Sequence, residues 1–114
     1  MSLKIGKKVL MSKVKFASNS WERTKGLMFE DKKKFNYALV FDFPFESRVR
    51  TSLHMIFVFF PIDVLFLDKQ QKIVDKVTLQ PFIPNYTPKK AAKFVIEMPH
   101  GKAKLAKIGQ KVEW

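Results

Sequence analysis

The chain has 114 residues, enough for one domain, residues 1–114, with a core that needs no staples. Hydrophobic residues make up 46% and charged residues 28%, which excludes a disordered chain, and the lack of cysteine excludes disulfides, thiolate metal sites and cysteine nucleophiles. The formal net charge of +12 attracts phosphate polymers and anionic surfaces without choosing among them. Only Arg23, Arg48 and Arg50 among the basic residues are arginines, so the rest is the Lys-rich surface that thermophile proteins favour.

From the N-terminus, residues 8–16 mix β-branched and apolar residues with Lys, the composition of a half-exposed strand. Ser18, Asn19 and Ser20 are N-cap residues. With Asn19 as the cap, Glu22 falls at the third helical position, and Gly26 ends a short helix that Trp21 anchors against a sheet. Residues 30–34 form a charged surface loop. Strands are predicted over 38–43, 48–59 and 62–67, with turns at Pro44 and Pro61. A hairpin-type turn at 68–71 leads into a strand over 72–79. Pro81, Pro84 and Pro88 then mark an irregular crossing loop around Asn85 and Tyr86. Residues 93–98 read as a short buried strand, 101–107 as a second small helix stopped by Gly109, and 110–114 as a last strand. Many short strands with two short helices predict a mainly β fold, an antiparallel sandwich or barrel.

The most informative stretch is 53–68, nearly all apolar but interrupted by His54, Pro61 and Asp63. It is shorter than the ~18 residues that span a bilayer, and Asp63 would be costly there. The N-terminus lacks the apolar run of a signal peptide. A cytoplasmic protein without a membrane contact is expected.

If 48–54 is extended, Arg48, Arg50, Ser52 and His54 project to one face at intervals of ~6.6 Å. Two guanidiniums, a hydroxyl and an imidazole in a row suit a carboxylate or phosphate, and a solvated strand face is the alternative. Asp63, buried and ionised, must be paired or hydrogen-bonded, and a turn after Pro61 in which it accepts backbone N–H bonds is the favoured solution. Within 94–98, alternation is expected to turn Glu97 outward. His54, Asp63, Glu97 and His100 have no metal-ligand spacing. Ser52, His54 and Asp63 lack a nucleophile elbow. Met28, Met55 and Met98 read as core filler. The four glycines are scattered, which excludes a phosphate-cradling loop.

Several of these pieces occur together in a known family. Arg23-Thr-Lys-Gly26-Leu27-Met28 is followed by an aromatic-rich strand at 38–43 and by Pro61-Ile62-Asp63-Val64-Leu65-Phe66-Leu67-Asp68. Then come Ala91-Ala92-Lys93-Phe94-Val95-Ile96-Glu97-Met98 with Gly101, and Ile108-Gly109-Gln110-Lys111-Val112. This ordered set, over residues 10–114, resembles the family called domain of unknown function 192, small proteins of bacteria and archaea. Many bacterial members carry Trp-Met-Lys-Asn-Thr before the Pro-x-Asp element. Here the place reads Leu53-His54-Met55-Ile56-Phe57, which keeps the Met, lacks the Lys-Asn pair and makes His54 the local polar candidate. The resemblance implies a mainly β, jelly-roll or barrel fold and supplies no reaction, cofactor or partner. It places Arg23, Asp63 and Glu97 in motif positions, where Arg23 pairing with Asp63 or Glu97 would lock the first helix to the sheet.

The expectation is a non-enzymatic binding module with neither metal nor cofactor. It takes a small anion or acidic partner at Arg48, Arg50, Ser52 and His54. Two alternatives stand beside it. One is sequence-tolerant RNA or DNA binding by the Lys-rich surface, with exposed Phe or Tyr86 stacking on bases. The other is a hydrolase or metal-assisted enzyme using His54, Asp63 and Glu97.

Overall fold

The structure, a computed structural model, describes residues 1–17 and 26–114. The described residues form seven strands: β1 (Leu3–Ile5), β2 (Lys8–Met11), β3 (Val14–Ala17), β4 (Ala38–Ser47), β5 (Ile62–Leu67), β6 (Ile73–Leu79) and β7 (Ala92–Pro99). β1 and β2 form an antiparallel hairpin, closed through Gly6 at a left-handed φ of 59°. The other five make one sheet in the order β3-β4-β7-β5-β6, parallel between β3 and β4 and antiparallel elsewhere.

The five-stranded sheet is buried on both faces, and strand alternation sorts its side chains into two cores. Leu39, Phe41 and Phe43 of β4, Ile62, Val64 and Phe66 of β5, and Val95 of β7 face one core with Leu27, Tyr37, Met55, Val58 and Phe60 from the connections. Ala38 and Val40, Leu65 and Leu67, and Phe94, Ile96 and Met98 face the other. That second core is covered by Leu3 and Met11 of the hairpin and by Ala103, Ala106 and Val112 of the C-terminal segment. This two-sided burial is why 62–67 is apolar apart from Asp63, and every one of its residues is buried.

The mainly β class and the strands at 38–43, 62–67, 72–79 and 93–98 match the sequence reading to within a few residues. Four expectations need correction. Among the described residues the strands close no barrel: the sheet is open, with β3 and β6 at its edges, and one of its pairs is parallel. The predicted helix at 101–107 is a run of turns. Its backbone closes i-to-i+3 bonds instead, Lys104 N–H to Gly101 O and Ala106 N–H to Ala103 O, and side chains take the groups left over: the Asp63 carboxylate accepts Gly101 and Ala103 N–H at 2.9 and 3.1 Å, and Lys76 Nζ donates to Lys104 O and Ala106 O. The predicted helix ending at Gly26, with Asn19, Trp21 and Glu22, lies outside the described residues. Helix among the described residues is a single 3-10 turn at Lys32–Lys34, capped by Asp31. The last strand reduces to single bridges, Lys111 to Lys72 and Glu113 to Lys4.

The predicted strand over 48–59 is absent, because its hydroxyls bond locally. Thr51, fully buried, donates to Ser47 O at 2.5 Å, Ser47 Oγ accepts Arg50 N–H, and Ser52 Oγ donates to Arg48 O. No described helix is long and apolar enough to cross a membrane.

Candidate functional site

Segment 48–60 is held over the first core by the 81–90 crossing loop. Leu53 and Tyr86 exchange two backbone hydrogen bonds at 2.8 and 2.7 Å, Met55 N donates to Ile83 O, and Phe82 N donates to Met55 O. The crossing loop is itself pinned to β6. Asp75, buried, accepts the Tyr86 hydroxyl at 2.6 Å and Lys89 N–H at 3.1 Å. Burial, then the hydrogen bond to Asp75, pushes the Tyr86 phenol up to about 12. Its ring packs against Phe66 at 5.7 Å between centroids, so Tyr86 is committed to the fold.

Between this segment and the sheet lies a cavity of about 420 Å³, within the ~300–1,000 Å³ range of ligand pockets. Its floor is the sheet: Phe41 and Phe43 of β4, Ile62 of β5 and Glu97 of β7. Arg50, Ser52, Leu53, His54, Met55 and Val58 make one side, and Gly26, Leu27 and Met28 another. Arg50 and His54 are exposed at its mouth, whereas Glu97 is 5% exposed at its base.

Glu97 is buried because β7 is the middle strand of a sheet with no outward face, which overturns the expectation that alternation turns it to solvent. Its neighbours across the strands are Leu39 and Val64, neither of which offers a donor. Among the described residues Glu97 Oε1 has no hydrogen-bond partner, and burial raises the carboxyl from 4.5 to about 8. The group is therefore protonated and uncharged at neutral pH. Tyr37 is raised by burial, then by the negative charges of Glu30 and Glu97.

The other members of the predicted set divide. Arg50, Ser52 and His54 reach the same cavity even though the strand that was to align them does not form. Arg48 is not among its lining residues and donates through Nε to Pro88 O at 2.9 Å. The Arg50 guanidinium sits 4.9 Å from the Phe45 ring centroid, a cation–π contact that orients it. Ser52 Oγ shares a hydrogen bond with Thr87 Oγ1 at 2.9 Å. His54 Nδ1 accepts Ile56 N–H at 3.3 Å, which assigns the proton of the neutral ring to Nε2.

Asp63 is on the opposite face. It pairs in register with Met98 and points, with Leu65 and Leu67, toward the second core. There it accepts Thr78 Oγ1–H, Gly101 N–H and Ala103 N–H, with His100 Nδ1 at 3.3 Å. It does accept backbone N–H bonds as expected, but from residues 101 and 103 instead of a turn at Pro61. The sheet separates it from His54 and Glu97, so neither the Ser52-His54-Asp63 nor the His54-Asp63-Glu97 grouping assembles. Among the described residues no three His, Asp or Glu side chains are grouped to hold a metal. The proposed partner of Asp63 or Glu97, Arg23, lies outside the described residues.

Sequence reasoning missed a second surface feature. Phe29, Phe57, Phe59 and Phe82 are 66%, 42%, 58% and 49% exposed and touch one another. Phe29 and Phe57 stack with centroids 4.7 Å apart, and Phe82 meets Phe57 and Phe59 edge-on at 6.5 and 5.2 Å. Phe29, Phe57 and Phe82 have left-handed φ of 61°, 59° and 63°, a conformation that costs bulky residues about 1–2 kcal/mol each. Their apolar character was visible in the sequence, but their clustering depends on three separate loops.

The family model for DUF192, described as "Uncharacterized ACR, COG1430", matches residues 1–114. The chain is 44% identical over 104 residues to a UPF0127 protein of Pyrococcus abyssi, covering 90% of this chain and 86% of that one. It is 38% identical over 109 residues to a UPF0127 protein of Pyrococcus furiosus, covering 94% and 90%. Among solved structures, a protein of unknown function from Novosphingobium aromaticivorans superposes with a TM-score of 0.76 at 23% identity, over 89% of this chain and 74% of that one. A Sinorhizobium meliloti protein provisionally described as a transcription regulator superposes with a TM-score of 0.72 at 21% identity, over 88% and 79%. At these identities the two structures share the fold. The match over every residue, together with the archaeal relatives, shows that this chain belongs to the DUF192 family.

Proposed function

We propose that this protein is a non-enzymatic binding module for a small organic anion with an apolar body. One observation carries the reading: Arg50, Ser52 and His54 share a cavity whose wall and floor are otherwise apolar apart from the buried Glu97, so a charged head and a hydrocarbon body are accommodated together. The guanidinium supplies the charge-assisted contact, the Nε2–H of the His54 ring adds a second donor, and Phe41, Phe43, Met55 and Ile62 face the hydrocarbon. Arg48 is assigned to holding the crossing loop. Hexanoate is a suitable probe. Calorimetry should detect its binding to the parent protein and a roughly 10- to 100-fold loss in Arg50→Ala, the usual worth of a hydrogen bond to a charged group. Arg48→Ala should bind within a few-fold of the parent if the crossing loop stays in place. Equal affinity for the parent and Arg50→Ala would refute the assignment.

The exposed Phe29, Phe57, Phe59 and Phe82 favour a second reading. Aromatic rings on a chain of net charge +12 are the ingredients of a stacking platform for single-stranded nucleic acid. Labelled single-stranded RNA should then bind at about 50 mM salt, with affinity falling by orders of magnitude at about 200 mM and dropping further in Phe57→Ala/Phe82→Ala. RNA that stays free at low salt would leave the charge as surface alone.

A further inference from the structure

Buried carboxylates elsewhere in this fold are supplied with donors. Asp63 receives two backbone N–H groups and a threonine hydroxyl, and Asp75 receives a tyrosine hydroxyl and backbone N–H groups of Lys76 and Lys89. Glu97 is the exception among the described residues: its Oε1 is unpartnered, and it lines the cavity. A buried polar atom left without a partner costs stability, and such atoms in native proteins call for an explanation. Arg50 lines the same cavity, yet no ion pair among the described residues joins it to Glu97. Arg50 and His54 are exposed at the mouth, Glu97 is buried at the base, and apolar side chains of the floor and walls complete the lining.

We infer that the cavity takes a bipolar ligand, with a carboxylate at one end held by Arg50, a hydrocarbon middle, and a primary ammonium at the other end received by Glu97. This rests on the anion-binding reading above and names the second recognition group. The ammonium supplies up to three donors to a carboxylate whose Oε1 has none among the described residues, and the pair neutralises itself inside an apolar wall. Linear ω-amino acids have this shape and charge separation.

Binding has a proton balance. The free protein holds Glu97 protonated below about pH 8, and an ammonium pairs with the carboxylate, so the Glu97 proton passes to the buffer when the ligand binds. Affinity therefore rises by up to tenfold per pH unit toward about pH 8 and levels above it. Among the described residues the groups that also act on this site are Tyr37, which feels the charge of Glu97, and Arg50 and His54 in the cavity lining. The neighbours of Glu97 on β4 and β5, Leu39 and Val64, do not titrate.

The test is calorimetry of the intact protein with 4-aminobutanoate, 6-aminohexanoate and 8-aminooctanoate, each beside hexanoate and hexylamine, between pH 6 and pH 9. At pH 8.5 the best-fitting ω-amino acid should bind at least about tenfold more tightly than hexanoate. Its affinity should fall toward pH 6 with one proton released per ligand, and Glu97→Gln should erase both the advantage and the proton release. Hexanoate binding through Arg50 as tightly as every ω-amino acid at all pH values would overturn this inference and leave the anion-binding reading standing. Binding of none of the probes, or binding indifferent to Arg50→Ala, would overturn both. The pH profile of the parent protein decides the matter even if the Glu97 variant fails to fold.

Discussion

Replacing Glu97 with Gln should make the protein more stable at pH 8.5 and should flatten its stability profile between about pH 4.5 and pH 8. The carboxyl titrates near 4.5 when unfolded and near 8 when folded, because burial beside Leu39 and Val64 disfavours the anion. Below pH 4.5 both states are protonated and the group contributes nothing. Between the two values the folded state holds a proton that the unfolded state has released, so stability falls as pH rises. Above about pH 8 both states are ionised and the loss is complete. The separation of the two values corresponds to at most about 5 kcal/mol, reduced by whatever relaxation admits water to the site. Gln keeps the shape of the protonated acid and cannot ionise. Urea melts of the parent and Glu97→Gln at pH 5, 7 and 8.5 measure the difference directly. Parallel stability curves for the two proteins across this range would show that Glu97 is not held protonated.

The second large effect is expected on the other face of the sheet. Asp63→Ala should destabilise the protein by about 3 kcal/mol or more and loosen the segment from Gly101 to Ala106. The carboxylate satisfies Gly101 N–H, Ala103 N–H and the Thr78 hydroxyl, and the alanine variant leaves the buried donors among them without an acceptor. It also unseats Ala103 and Ala106, which cover Leu65, Leu67, Ile96 and Met98. A thermal melt gives the size, and amide hydrogen exchange gives the location: protection should be lost first at Gly101 and Ala103. Wild-type stability in Asp63→Ala would refute the structural role. Asp63→Asn should fall between the two, because its amide retains one acceptor oxygen.

The strand core was legible because its signal is local. Residues 62–67 could be assigned from composition alone, since Ile, Val, Leu and Phe, interrupted only by Asp63 between Pro61 and Asp68, leave few options besides a central strand. The connections were not legible, because polar side chains hold their backbone groups. Thr51 and Ser52 bond to carbonyls three and four residues back, which turns the predicted strand at 48–59 into a folded segment. The predicted helix at 101–107 is instead a run of turns whose free backbone groups Asp63 and Lys76 hold from a distance, through contacts no local pattern reveals.

The candidate site was half legible, and for partly accidental reasons. Arg50, Ser52 and His54 were grouped by strand parity, and they line one cavity although the parity argument does not apply to them. Arg48 fitted the same parity and went elsewhere, to Pro88. Glu97 was misread because alternation has meaning only when one sheet face is wet. Recognising that β7 lies between β4 and β5 required the topology, and with it the burial of that carboxyl follows.

The most direct test of the binding account is a titration of the isotope-labelled protein with hexanoate, followed by two-dimensional amide NMR. The account predicts shifts concentrated at residues 26–28, 50–58 and around Glu97, saturating with a single dissociation constant that is roughly 10- to 100-fold weaker in Arg50→Ala. Shifts scattered over the lysine-rich surface, or centred on any other part of the fold, would contradict it.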